Sequence, residues 1–142
     1  GNRLMNTTVR LGSLLLAALL TACGGVGTEK NRMEETLYHY GSAMRWGEVE
    51  QIIAFHDPEV LAQRPVATLE LERWRQLRVS GYRTRGREPQ PDGTVAQFAE
   101  IEFVNRHNQT TFAILDREQW RYDAEAKRWW LTSGLPDLDR RR

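Results

Sequence analysis

Along the chain the apolar positions change period twice. From residue 11 to 22 they run almost unbroken, up to Cys23 and the glycine-rich stretch 24–27. Beyond Asn31 they recur with a helical period: Met33, Leu37, Tyr40 and Met44 form one stripe of an amphipathic helix. Asn31 with Glu34 three residues later reads as a capping box, with Asn in the Ser/Thr role, and Gly47 interrupts the helix. Val49, Ile52, Ile53 and Phe55 predict a second, shorter helix over residues 48–55, ended by Asp57-Pro58. Pro65 marks another break, and residues 68–74 predict a short helix.

From Gln76 the period becomes that of strands. Residues 76–87 are rich in Val, Tyr, Thr and Arg, and Pro89-Gln90-Pro91-Asp92-Gly93 is a strong turn signal. Val95, Ala99, Ile101 and Phe103 alternate with Glu100 and Glu102, the pattern of a half-buried strand. After a turn at residues 105–109, Phe112, Ile114, Trp120 and Tyr122 share one parity, with Asp116 and Glu118 intruding midway. Those carboxylates call for a bulge or a partly wet face. Residues 123–127 close a hairpin into 128–133, with Trp129 and Leu131 facing inward, and Gly134-Leu135-Pro136 ends the fold.

The N-terminal pattern has a different meaning. A short basic start ending at Arg10, an apolar run and small residues at its end follow the grammar of a secretory signal peptide. The run stops short of the roughly 20 apolar residues that a membrane-spanning helix needs. Leu20-Thr21-Ala22-Cys23 resembles the lipobox of bacterial lipoproteins. The resemblance implies removal of residues 1–22 and acylation of Cys23, with residues 1–4 preceding the true start at Met5. Two or three acyl chains hold a protein stably on a bilayer where one does not. Gly24, standing where an aspartate favours inner-membrane retention, implies an outer-membrane address facing the periplasm. Residues 24–30 then form a flexible linker.

Removing the signal changes the charge. The chain has 20 Lys and Arg against 19 Asp and Glu, but Arg3 and Arg10 precede Cys23, so the remainder is slightly acidic. No basic stripe is left to attract nucleic acid. Cys23 is the only cysteine, so its acylation leaves no thiol for a disulfide. Residues 31–136 fit one ordinary domain, with 137–142 as a polar, solvated tail.

Two helices followed by a meander of about four long strands make an α+β layer, an antiparallel sheet curled over helices on one face. The segments Tyr38-His39-Tyr40-Gly41-Ser42-Ala43-Met44-Arg45-Trp46-Gly47, Val79-Ser80-Gly81-Tyr82 and Arg128-Trp129-Trp130-Leu131-Thr132-Ser133-Gly134-Leu135-Pro136 resemble small proteobacterial lipoproteins. Their domains are similar to the nuclear-transport-factor-2-like or cystatin-like cone. That superfamily holds isomerases, dehydratases and many non-enzymes, so the resemblance carries no activity with it.

Candidate chemistry is sparse. His39 reads as a rim residue, His56 as a cation at a helix end, and His107 as a turn residue. Three scattered histidines make no zinc site, and no cofactor motif is present. Asp116 and Glu118, two apart on a strand, either line one cavity and perturb each other's pKa or pair with Arg83 or Arg85 on a solvated face. The solvated face is the expectation, because exposed charges are the rule. The five tryptophans belong mostly to the core, but Trp129 and Trp130 must point to opposite faces, which leaves Trp130 as a partner or dimer contact on the sheet. The expected role is therefore a lipid-anchored, non-catalytic binding module for an envelope protein, a second copy through the sheet, or a small apolar ligand. The alternative is an isomerase or hydratase acting in a pocket between helices and sheet.

Overall fold

A computed structural model of the chain describes residues 27–141. The apolar run, Cys23 and Arg142 lie outside the described residues. Helix α1 occupies residues 27–46. The predicted stripe is its buried face, with Met33, Leu37, Tyr40 and Met44 all in the core. Two expectations at its start are corrected: residues 27–30 are helical rather than linker, and Asn31 lies inside the helix rather than capping it. The cause is long-range. The Glu29 carbonyl accepts from Trp129 Nε1 at 3.1 Å, and Arg32 donates to the Lys127 carbonyl at 3.0 Å, so the last hairpin holds the first turn. At the other end a Cβ on Gly47 would sit 2.8 Å from the Ala43 carbonyl, so only glycine fits there.

Three short helices follow. Helix α2 spans Val49–Ile53, α3 Pro58–Gln63 and α4 Thr68–Arg75. The second was not expected, because Asp57-Pro58 read only as a stop. Here the pair starts a helix: Asp57 Oδ1 accepts from the Glu59 amide at 3.0 Å, and Pro58 occupies the first turn, where its missing N–H costs nothing.

The sheet has four antiparallel strands in the order β1-β2-β3-β4: Leu77–Pro89, Val95–Asn105, Thr111–Asp123 and Arg128–Leu131. The α+β class is as the sequence pattern implies. Register slips at Ser80 and Arg85 give β1 an extra residue twice against β2. Of the two readings for Asp116 and Glu118, the bulge is absent, since the pairing of β3 with β2 runs without a break from Val95↔Trp120 to Val104↔Thr111, and only Asp116 is partly exposed. Phe112, Ile114, Asp116, Glu118, Trp120 and Tyr122 therefore keep one parity and face the helices.

Inside, Tyr40 stands edge-on to Phe55, Tyr82 and Trp120, with ring centres 5.4, 6.2 and 5.1 Å away. Large side chains buried in this way each contribute about 1.5–3 kcal/mol. The fold does not stop at Pro136. Leu138 is buried, Arg141 forms a bridge with Ile114, and its guanidinium lies 4.2 Å above the Phe112 ring. This corrects the solvated tail for residues 137–141, which cover the edge of β3 beyond the reach of β4. The far edge of β4 is covered too, by backbone bonds between Leu131 and both Phe55 and Asp57 at 2.8 Å. Strand β1 pairs with β2 alone, so its other edge has no strand neighbour among the described residues.

Candidate functional site

Two polar features stand out, one sealed and one open. The sealed one is built by β-sheet register. Glu118 of β3 lies opposite Gln97 of β2, and Gln97 lies opposite Arg87 of β1. Glu118 is fully buried and accepts three hydrogen bonds: from the Tyr82 hydroxyl at 2.6 Å, Trp120 Nε1 at 3.2 Å and Gln97 Nε2 at 3.3 Å. Burial pushes its carboxyl up to about 7, against the pull of these donors, and the nearby Asp116 carboxylate adds to the rise. Asp116, on the same face and half-buried, is pushed up to about 6, again by desolvation. Tyr40 and Tyr82 are held in the neutral form by burial first and by the neighbouring Glu118 second.

The expected partners of the two carboxylates are elsewhere. Arg83 and Arg85 lie against Glu100 at 3.1 and 2.6 Å, on the opposite side of the sheet. The solvated-face expectation is thus corrected for Glu118, because strand parity carries it inward to three donors. Gln97 and Tyr82 were not singled out in the sequence. The signal available for them was their inward parity on adjacent strands.

His56 is also corrected. It is buried, and burial lowers its imidazole to about 4, so it is neutral rather than a helix-end cation. Its neighbour Asp57 is the charged residue there, accepting from Arg121 Nε and Nη2 at 2.9 and 2.8 Å. His39 and His107 are exposed, as expected. Trp129 points in and Trp130 out, as alternation requires. The outward ring is already occupied: the Arg128 guanidinium lies 3.5 Å above it, and its Nε1 donates to Asp123 at 3.2 Å.

The open feature is a groove between α1 and β1. A cleft of about 550 Å³ is lined by Tyr38, Ser42, Arg45 and Trp46 of α1 and by residues 82–85 of β1. A second, of about 260 Å³, shares Arg45 and Trp46 and continues along β1 at residues 77–79. Trp46 is 82% exposed and Tyr38 75%. Tyr82 links the two features, since it borders the larger cleft while its hydroxyl is bonded to Glu118.

Among the described residues no helix is long and apolar enough to cross a membrane, and no cluster of three or more His, Cys, Asp or Glu could hold a metal. Comparison of the chain with models of known families, with curated proteins and with solved structures finds no match.

Proposed function

We propose that this chain is an envelope lipoprotein, anchored through acylated Cys23, whose domain is a non-catalytic binding module of the nuclear-transport-factor-2-like or cystatin-like kind. Support for the anchor is the Leu20-Thr21-Ala22-Cys23 motif, and Gly24 favours the outer membrane facing the periplasm. The observation that carries the binding reading is a contrast in exposure. The acids and tyrosines whose protons are held by burial, Asp116, Tyr40 and Tyr82, gather around a Glu118 that is closed to solvent, whereas Trp46 stands 82% exposed beside an open groove. Large exposed aromatics beside a cleft are what partner recognition uses. A second copy meeting the sheet's outer face is the other partner mode, with Phe98 and Leu115 as its apolar part.

A second reading has its own support. A carboxyl near 7 beside another near 6 is the material of general acid–base chemistry. That enzyme would be of the isomerase or hydratase sort and would have to part Tyr82 from Glu118 to admit a substrate. Cross-linking in intact cells distinguishes the two. Under the binding reading Trp46→Ala loses the complexes captured with wild type, and Glu118→Gln keeps them. A wild-type turnover that Glu118→Gln abolishes selects the enzyme instead.

A further inference from the structure

The groove has a wall of a particular kind. Its β1 side is the edge of a sheet, and a strand edge presents backbone N–H and C=O groups that a further strand can pair. Covered edges elsewhere make the contrast plain: β3 has residues 137–141 against it and β4 has residues 55–57, whereas among the described residues the other edge of β1 meets no strand, only the groove and the guanidiniums of Arg45 and Arg106. The two clefts together follow β1 from Leu77 to Arg85, long enough for an extended segment of several residues.

Charge selects the occupant. Arg75 is paired with Glu50, and Arg83 and Arg85 with Glu100. Arg45, Arg78 and Arg106, which line the same groove, have no carboxylate partner among the described residues. Arg45 donates to the Tyr82 carbonyl at 2.7 Å and Arg106 to the Leu77 carbonyl at 3.1 Å, so both guanidiniums are held at the β1 backbone by neutral groups. A second copy of this chain is disfavoured there. Antiparallel pairing of β1 with itself about Arg85 would set Arg85 against its own counterpart and Arg83 against Arg87, and like charges on facing strands repel.

We infer that an acidic, extended segment of a partner protein adds as a fifth strand to the free edge of β1, with Trp46 and Tyr38 packing on its side chains, an assignment that rests on the binding-module reading and names its partner. Backbone pairing supplies affinity, and the three uncompensated arginines select carboxylates.

The test uses the full acylated chain in detergent and fluorescein-labelled short peptides read by anisotropy. A peptide of alternating Glu and Val should bind. Its Lys and Val counterpart, and a version with alternate backbone amides methylated, should each bind at least about tenfold more weakly, since one loses the charge match and the other the ladder. Arg78→Glu should weaken the acidic peptide to a similar degree. Arg78 is exposed and makes no bond that the fold needs, and an unchanged circular dichroism spectrum checks this. No binding of the Glu–Val peptide at millimolar concentration overturns the inference, as does equal binding of the methylated form. Either result leaves the module reading standing. That reading falls on a different result, the turnover lost in Glu118→Gln.

Discussion

The Tyr82 hydroxyl donates to Glu118 at 2.6 Å, inside a core where Glu118 is sealed from water and Tyr82 reaches it only at the edge of the groove. This bond ties β1 to β3 across β2, directly beneath the helix that carries the groove. Its strength depends on the charge of Glu118, because a hydrogen bond to a carboxylate is worth about 1.5–3 kcal/mol against about 1 kcal/mol for a neutral one.

Burial of the charge outweighs that bond, so through Glu118 and Asp116 stability should fall as the medium turns from acid to neutral. Folding raises the Glu118 pKa from 4.5 to about 7 and the Asp116 pKa from 3.8 to about 6. The folded state holds these protons more tightly than the unfolded one. The stabilisation is complete below the unfolded values and is lost as pH rises through the folded ones. For Glu118 the loss is on the order of 3 kcal/mol. Urea denaturation of wild type between about pH 5 and pH 8 should show it, and Glu118→Gln should remove most of the slope. Buried His56, lowered to about 4, gains stability over the lower part of the same rise in pH, so the difference between wild type and Glu118→Gln is the readout, and parallel profiles would contradict the buried-carboxyl assignment.

Tyr82→Phe removes the shortest of the three donors without emptying the core. The expected cost is about 2 kcal/mol above the Glu118 pKa and less below it, where the acid is neutral. Equal losses at both pH values would mean that the packing of the ring, not the hydroxyl, is what matters.

Asp57 joins α3 to β3. Asp57→Ala removes both the cap on Glu59 and the acceptor of Arg121, and should cost about 2–3 kcal/mol. Asp57→Asn keeps an oxygen for the cap and should lose less. Arg121 is partly exposed, so Arg121→Ala should be milder than Asp57→Ala. Thermal melts of the three variants check the order.

Leu138→Ala should cost about 2–3 kcal/mol, because a lone apolar residue in a charged segment anchors residues 137–141 over the edge of β3. Ending the chain at Pro136 should also uncover that edge and promote association, visible by light scattering. A truncated chain with wild-type stability would mean that the segment is not held in solution.

Much of the fold was legible in period alone. The α1 stripe and the strand positions follow from residue spacing, and so does the opposition of Trp129 and Trp130. What escaped depends on residues far apart in sequence. The first turn of α1 is set by Trp129 and Lys127, a hundred residues away, and that outweighed the local signal at Asn31. Helix α3 hid behind a proline that can start a helix as well as end one. For Glu118 the inward parity was visible, but the donors that make its burial tolerable come from Tyr82 and Gln97 on other strands, and no local pattern announces that pairing. The groove was invisible for a related reason: Trp46 belongs to a residue type that usually fills cores, and only the packed α1–β1 arrangement leaves it outside.

The most direct measurement for the proposed envelope lipoprotein is the intact mass of membrane-extracted protein, wild type beside Cys23→Ala. A wild-type chain beginning at Cys23 with added acyl mass, absent from the variant, is the expected result. A wild-type chain that keeps its first 22 residues and carries no lipid would contradict the anchor and the envelope location built on it.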